Sequence, residues 1–302
     1  MIDKPAGLTS HDVVARVRRI LRTRKVGHAG TLDPMATGLL LIGAGQATRL
    51  LGYLARADKE YLATIRLGAS TLTDDAEGEF LHAAEPERLA ALERLEIESA
   101  IERLSGALMQ VPSSVSAIKV GGERAYARVR AGESVELAAR PIRVDAFEIL
   151  GLRRNPNSLD LDVRVACSSG TYVRALARDL GQMLVVGGHL TSLRRTRIGP
   201  WHVDGAVDLA GLADDPVPAD RLASLAEVAA DCFGVVVLDD AMAADVRNGR
   251  PIPLALGSAE APVALLDGGG EFLALAFGEG SRARYLAVFA APSGSRGEQV
   301  LG

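Results

Sequence analysis

Residues 27–38 have the sequence Gly-His-Ala-Gly-Thr-Leu-Asp-Pro-Met-Ala-Thr-Gly. Glycine and the Asp-Pro dipeptide are turn formers, and they interrupt the apolar segments on either side. Asp33 is therefore predicted to lie in a loop on a rigid scaffold, where functional side chains are common. Its carboxylate is a candidate nucleophile or general base. Composition alone favours the simpler interpretation of a turn, because Asp-Pro is a common turn dipeptide.

The segments next to this loop have clear periodicities. Residues 11–24 carry apolar side chains at helical spacing, with Ser10 as the predicted N-cap and arginines on much of the remaining surface. Residues 39–42 are predicted to form a buried strand, and residues 46–54 a short helix. The basic side of the first helix is more typical of a solvated surface than of a binding site when that helix is considered alone.

The middle of the chain mixes strands and helices. Alternation predicts strands over residues 60–67 and 159–167, each with one face buried. Further strands are predicted over residues 113–120 and 142–150, on either side of a basic insert at about 120–145. A helix is predicted after Thr171, with a shared apolar face formed by Val173, Leu176, Ala177 and Leu180. This mixture predicts an α+β protein.

The last third of the chain has a different pattern. A Pro-rich and Asp-rich linker lies at residues 213–218. Beyond it, short apolar runs alternate with Gly-rich turns, and they cover residues 235–238, 263–266, 272–277 and 285–289. This spacing predicts a small β domain. The predicted domains are therefore residues 1–230 and residues 231–302.

Composition excludes several classes of protein. The chain has 302 residues, of which 48% are hydrophobic and 24% charged, so it is neither disordered nor a collagen-like repeat. No apolar run approaches the roughly 18 residues of a membrane-spanning helix, and residues 1–4 do not resemble a signal peptide. Two cysteines give neither a disulfide framework nor a metal cluster. We therefore predict a cytoplasmic protein without a membrane partner.

The net charge of −4 hides a strongly uneven distribution. Residues 1–66 have a net charge of +6 and residues 103–200 one of +7. Residues 67–102 have a net charge of −8, and residues 201–302 one of −9. Separated basic segments of this kind can attract a phosphate backbone although the whole protein is acidic.

Other residues that could carry chemistry are ambiguous on pattern alone. The chain has no P-loop, no dinucleotide-binding glycine motif and no metal-ligand spacing among its five histidines, so neither a cofactor nor a metal is predicted. Arg174 follows a Ser-Ser-Gly turn at a predicted helix start, where anions bind, although a surface arginine is the simpler interpretation. Tyr61 and Tyr172 are more typical of packing aromatics, and His28 of a structural histidine.

Taken together, five short motifs resemble the TruB family of tRNA pseudouridine synthases. Residues 3–10 (DKPAGLTS) resemble the family's first motif, and residues 27–38 resemble its catalytic motif. Residues 59–61 (KEY), 170–174 (GTYVR) and 193–195 (LRR) follow in the family's order. The resemblance covers about residues 2–200 and is specific because all five motifs occur in register.

The resemblance implies a pseudouridine synthase fold. This fold has a mixed, mainly antiparallel sheet flanked by helices, and a small PUA-like β domain at the carboxy terminus. It also implies the activity, the isomerisation of uridine 55 in the T-loop of tRNA to pseudouridine without cofactor or metal. By the same resemblance Asp33 is the nucleophile, and it attacks the flipped nucleotide at C1′ of the sugar or at C6 of the uracil. The sequence does not choose between these two routes.

Roles for further residues also follow from the resemblance. Tyr61 packs on the flipped uracil, and Tyr172 and Leu193 line its pocket. His28 occupies the place in the T-loop that the extruded base leaves. Arg174 pairs with Asp33 and keeps it ionised. The helix at 11–24 and the insert at about 120–145 become candidate contacts to the T-arm stem-loop, whereas the acidic domain at 231–302 is expected to contribute little affinity.

Two alternatives remain open at this point. The chain could be a tRNA-binding module that reshapes its substrate without chemistry, in which case Asp33, Tyr61 and Arg174 are bystanders. It could also be a pseudouridine synthase that acts on a uridine of another RNA. A monomer is expected in each case.

Overall fold

The computed structural model describes most of the chain. The described residues are 1–113, 119–120, 123–124, 137–257 and 261–290, with backbone only at 119–120 and 123–124. Most of the predicted strand at 113–120 and of the basic insert, including Arg128 and Arg130, lies outside these ranges. None of the described helices is long and apolar enough to span a membrane.

The secondary structure alternates between strands and helices along the chain. The strands are β1 (Ile2–Lys4), β2 (Val26–Ala29), β3 (Thr37–Ala44), β4 (Lys59–Leu67), β5 (Ala69–Thr71), β6 (Phe80–Ala83), β7 (Gly106–Gln110), β8 (Lys119–Val120), β9 (Glu123–Arg124), β10 (Arg140–Asn155), β11 (Ser158–Cys167), β12 (Gly188–Ile198), β13 (Trp201–His202), β14 (Gly234–Val237), β15 (Val263–Leu266), β16 (Phe272–Glu279) and β17 (Arg282–Val288). The helices are α1 (Ser10–Ile20), α2 (Leu51–Leu54), α3 (Pro86–Ala90), α4 (Arg94–Arg103), α5 (Val173–Met183), α6 (Leu209–Asp214), α7 (Leu225–Cys232) and α8 (Asp240–Arg247). Short 3-10 helices lie at Gly45–Arg49, Val203–Gly205 and Pro218–Arg221.

The chain divides into two units, each built from separate segments. The first contains residues 1–10, 30–40 and 55–208, and the second contains residues 11–29, 41–54 and 209–302. The predicted domain boundary at residue 230 remains a prediction.

A large sheet forms the framework of the first unit. Its strands follow the order β1-β3-β12-β4-β11-β10-β7. Neighbouring strands are antiparallel except at β12 and β3, where Arg194 lies opposite Thr37 in a parallel pair. The expected mixed, mainly antiparallel sheet is therefore confirmed.

The core of the first unit follows the predicted alternation. On β4 and β11 every second residue is buried, including Ile65 and Val163. The predicted inner face of α5 is buried as well, and α4 adds Ile97 and Ile101 to the same core. The buried residues of the strands and the helix therefore follow the apolar pattern of the sequence, because each element packs its apolar face against the others.

The second unit contains a four-stranded sheet in the order β14-β15-β16-β17. These strands correspond to the four apolar runs predicted near the carboxy terminus, and β14 and β15 pair in parallel. Leu238, Leu265 and Leu273 lie in its core. Arg49, from an earlier segment of the same unit, donates to the Val288 carbonyl at 2.5 Å. A small β-rich carboxy-terminal region is thus confirmed, whereas its likeness to a PUA domain remains a prediction.

The first helix is shorter than predicted. Helix α1 ends at Ile20 rather than near residue 24. The chain reverses at Arg22, whose φ of 51° lies in the left-handed region and cannot continue a right-handed helix. The hydroxyl of Ser10, the predicted N-cap, bonds instead to the backbone of Leu32, accepting from its N–H at 2.9 Å. The predicted helix at 46–54 is a 3-10 turn followed by the single turn of α2.

Candidate active site

A cavity of about 270 Å³ lies in the first unit, at the end of β4 and beside the loop that carries Asp33. Its volume is slightly below the roughly 300 Å³ at which typical small-molecule pockets begin. The predicted site residues that line it come from separate parts of the chain, and they are Asp33, Tyr61, Tyr172, Arg174 and Leu193. Sequence-distant residues thus converge on one concave surface.

Asp33 and Arg174 form the ion pair that the sequence analysis predicts. Arg174 donates from Nε to Oδ2 of Asp33 at 2.9 Å and from Nη2 to Oδ1 at 3.1 Å. This bidentate geometry fixes the plane of the carboxylate. The Arg174 side chain is 5% exposed and that of Asp33 is 35% exposed, so the carboxylate is the accessible member of the pair.

Arg174 also contacts a second carboxylate, that of Asp75. Nη1 of Arg174 lies 3.5 Å from Oδ2 of Asp75 and donates to the Thr73 carbonyl at 2.7 Å. Asp75 is itself 5% exposed, and its Oδ1 accepts from the Glu77 amide at 3.1 Å. Because Arg174 is shared between two carboxylates, Asp75 orients the guanidinium that orients Asp33. No local pattern marks Asp75 as a site residue, because it lies in an acidic stretch that is typical of a solvated surface.

The backbone around Asp33 is held at several points. The Gly7 amide donates to the Pro34 carbonyl at 2.8 Å, and the Ala36 amide donates to the carbonyl of Asp33 itself at 3.1 Å. Lys4, which is fully buried, donates to the Pro34 carbonyl at 3.2 Å. The first motif, which contains Lys4 and Gly7, therefore supports the loop rather than lining the cavity.

Strands β4 and β12 supply one wall of the cavity. Tyr61 lies on β4 directly opposite Arg195 on β12, and Leu193 faces Ala63 two residues away. Burial raises the pKa of the Tyr61 hydroxyl, while the neighbouring Arg195 guanidinium opposes that shift. Tyr61 and Leu193 are both 7% exposed, which suits them to packing against a flat apolar surface.

The turn before α5 supplies another part of the cavity lining. Tyr172 occupies the position before the first residue of the helix. The Gln110 side chain clamps its backbone by accepting from the Tyr172 amide at 2.9 Å and donating to its carbonyl at 3.1 Å. Gln110 is 3% exposed, so this pairing is shielded from water. Gln110 is a further residue that sequence analysis did not single out.

His28 is the one predicted site residue outside this cavity lining. It lies on β2 in the second unit, opposite Ile42 of β3. Its ring makes an edge contact with His11, with ring centroids 5.4 Å apart.

Two family models match the chain. The one described as "TruB family pseudouridylate synthase (N terminal domain)" matches residues 18–173. The one described as "tRNA pseudouridylate synthase B C-terminal domain" matches residues 174–227. The chain belongs to the TruB family.

TruB relatives match nearly the whole chain. A protein named "tRNA pseudouridine synthase B" from Leifsonia xyli subsp. xyli is 54% identical over 293 residues, 96% of each chain. A protein of the same name from Mycobacterium tuberculosis (strain ATCC 25618 / H37Rv) is 54% identical over 288 residues, 95% of this chain and 94% of the relative. The resemblance drawn from the five motifs is confirmed.

Solved structures share the fold. A chain in a crystal structure of a Cbf5-Nop10-Gar1 complex superposes with a TM-score of 0.74 at 26% identity, covering 96% of this TruB chain and 84% of that chain. A chain in the archaeal box H/ACA sRNP Nop10-Cbf5 complex gives a TM-score of 0.70 at 25% identity, covering 97% and 86%. The predicted pseudouridine synthase fold is confirmed.

Proposed function

We propose that this chain isomerises uridine 55 in the T-loop of tRNA to pseudouridine, with Asp33 as the nucleophile. The observation that carries the proposal is the accessible Asp33 carboxylate, held in bidentate contact by a buried arginine at the edge of a cavity with two tyrosines. The two hydrogen bonds from Arg174 hold the carboxylate in one orientation, and a carboxylate held in this way can act as a nucleophile. The family membership supports the reaction type.

The reaction needs no external reactant. One C–N bond breaks and one C–C bond forms, while the proton lost from C5 of the uracil is balanced by one gained at N1. Asp33 attacks either C1′ of the sugar or C6 of the base, and the freed base rotates and rejoins through C5. The chain's own residues therefore have to bind the base, hold it and stabilise charge.

The target base must leave the stack of the T-loop, which costs a few kcal/mol. We assign the compensation to Tyr61, which packs on the uracil, and to Tyr172 and Leu193, which line the pocket. Stacking on an aromatic side chain contributes about 1–3 kcal/mol for each base. His28 takes the place that the base leaves in the T-loop. The protein acts in this proposal as a cytoplasmic monomer whose two cysteines are free thiols.

The test is an isomerisation assay on short RNAs. A T-arm stem-loop and an unrelated hairpin of equal loop length are incubated with the protein, and pseudouridine is detected by carbodiimide labelling. Conversion of the T-arm alone is the expected result. Conversion of both hairpins would favour an enzyme for other uridines, and tight binding without conversion would favour a tRNA-binding module.

The basic insert provides a second prediction. Replacing Arg128 and Arg130 by glutamine is expected to raise the Kd for the T-arm stem-loop by about tenfold. The slope of log K against log salt should become shallower by about 1 for each RNA phosphate that is no longer neutralised by an arginine. Filter binding at several salt concentrations measures both quantities.

The matched control removes two arginines from the carboxy-terminal sheet. Arg282 and Arg284 are exposed on β17 of the acidic region. Replacing both by glutamine is expected to change the Kd by less than about twofold, because a net −9 segment is unsuited to binding phosphate. These substitutions leave Val288 in place for Arg49. A larger effect from Arg282 and Arg284 than from the insert would show that the charge distribution is a poor guide to RNA binding.

A further inference from the structure

Two buried cations line the cavity beside Asp33. Lys59 is 6% exposed and Arg195 is 1% exposed. Among the residues that the structure describes, neither side chain is within ion-pair distance of a carboxylate. Arg174 in the same cavity differs, because it is shared between two carboxylates. The site therefore contains more positive than negative buried charge.

Strand pairing brings the two cations together. Lys59 and Tyr61 are alternate residues of β4 and share a face, and Arg195 lies opposite Tyr61 on β12. A Cβ placed on Gly30 would lie 3.4 Å from Nη1 of Arg195 and 3.5 Å from Cε of Lys59. Both side chains thus reach the same point at the base of the loop that carries Asp33. We refer to Lys59 and Arg195 as the cationic floor.

Both side chains are held in place by backbone carbonyls. Lys59 Nζ donates to Ala55 at 2.8 Å and to Ala57 at 2.7 Å. An ammonium group has three donors, and the described part of the chain supplies no acceptor for the third. Arg195 donates from Nε to Leu39 at 2.8 Å and from Nη2 to Gly30 at 3.0 Å. The cationic floor is preorganised and retains a donor for a ligand.

Buried charges without a counter-ion are costly, so their persistence at a cavity points to a negative group that arrives with the ligand. An RNA nucleotide offers two such groups. One is its phosphate, which is charged before and during the reaction. The other is the uracil ring, which is neutral when it binds and negative only during the reaction. Lys59 and Arg195 share the cavity with Tyr61, the predicted stacking partner of the base, and this placement favours the uracil.

We propose that Lys59 and Arg195 stabilise the negative charge that develops on the uracil ring during isomerisation. This inference rests on the proposed function. If Asp33 attacks C1′, the N1–C1′ bond breaks and its electron pair remains on the base, delocalised over O2 and O4. If Asp33 adds to C6, the electron pair of the C5–C6 double bond moves onto O4. Either route places charge on a carbonyl oxygen, so the cationic floor serves both.

The cationic floor acts mainly on the rate and little on binding. A neutral uracil gains little from a cation, whereas a ring that carries charge in the transition state gains much from buried, preorganised cations. Removing one preorganised donor to a developing oxyanion typically lowers kcat by about 10²-fold. A cation that contacted a phosphate would instead affect the affinity for RNA.

The test replaces Lys59 by methionine, which keeps the length of the side chain and removes its charge. We expect the single-turnover rate on the T-arm stem-loop to fall about 10²-fold, while the Kd stays within about twofold. The control is Arg66→Met, which removes a cation from the same strand at a 40% exposed position paired with Asp160. Arg66→Met should retain the full rate.

The pH dependence distinguishes an electrostatic role from a structural one. Burial and then the charge of Arg195 lower the pKa of Lys59 to about 8. Cys167 and then Asp58 oppose this shift, and burial raises the pKa of Cys167 itself to about 11. Tyr61, on the same face of β4, has a pKa that burial raises. Lys59 is charged below its pKa, so the wild-type rate should fall as the pH rises through about 8. Lys59→Arg should move this fall to higher pH, because a guanidinium keeps its charge.

Each outcome has a separate meaning. An active wild type with an unchanged Lys59→Met rate would overturn this inference and leave the proposed function intact. A raised Kd with an unchanged rate would assign the cationic floor to a phosphate and overturn the uracil assignment. A wild type that binds the T-arm without converting it would overturn the proposed function itself. A lower rate for Lys59→Met, together with a wild-type rate that falls as the pH rises through about 8, would support the inference.

Discussion

The Asp33→Asn variant is expected to lose pseudouridine formation almost completely, by about 10⁵-fold or more in the single-turnover rate. The amide has nearly the shape of the carboxylate but carries no charge, so it cannot supply the electron pair for attack at C1′ or C6. Arg174 keeps Asp75 as a partner in this variant, so the folded state should survive. Carbodiimide labelling of a T-arm stem-loop with enzyme in excess measures the loss.

Binding separates a lost nucleophile from a lost fold. The Kd of Asp33→Asn for the stem-loop should stay within about threefold of the wild-type value, because the cavity walls and basic segments are unchanged. Asp162→Asn is the matched control. Asp162 has a 34% exposed side chain paired with an arginine, Arg153, much as Asp33 is paired with Arg174. Asp162 is absent from the cavity lining, and its variant should be fully active. Substantial turnover by Asp33→Asn would remove Asp33 from the role of nucleophile.

Local patterns predicted most helices and strands, because the spacing of apolar residues within each element determines which of its faces is buried. The alternation of β11 and the apolar face of α5 were predicted directly, because each pattern is complete within about ten consecutive residues. The parallel pairing of β3 with β12 could not be predicted in this way, because it joins residues more than 150 positions apart. The end of α1 was also missed, because no residue type near Arg22 requires a positive φ.

The site residues also fall into two groups, those that the local sequence marks and those that only the folded structure reveals. Asp33 was conspicuous because it lies in an unusual loop, and Arg174 was found through a motif. Asp75 acquires its role only through contact with Arg174, 99 positions along the chain, and an aspartate in an acidic stretch carries no local sign of burial. Lys59 and Arg195 belong to matched motifs, but their burial without an ion-pair partner among the described residues is a property of three-dimensional packing. Charge balance within a cavity cannot be derived from local sequence.

Arg174→Met should lower both activity and stability. It leaves Asp75 buried without its cation, and breaking a buried ion pair in this way costs about 3–5 kcal/mol of unfolding free energy. The single-turnover rate should fall at least about 10³-fold, because Asp33 loses the two hydrogen bonds that orient it. Urea denaturation and stem-loop conversion measure the two losses.

The double variant Arg174→Met/Asp75→Asn separates these two effects. An asparagine at position 75 removes the unpaired buried charge while its oxygen still accepts from the Glu77 amide, as Asp75 does at 3.1 Å. The double variant should therefore recover most of the lost unfolding free energy. It should not recover the rate, because it still lacks the two hydrogen bonds by which Arg174 orients Asp33. Recovery of both quantities would mean that Arg174 serves only to neutralise Asp75. Recovery of stability alone would assign to Arg174 a direct part in positioning the nucleophile.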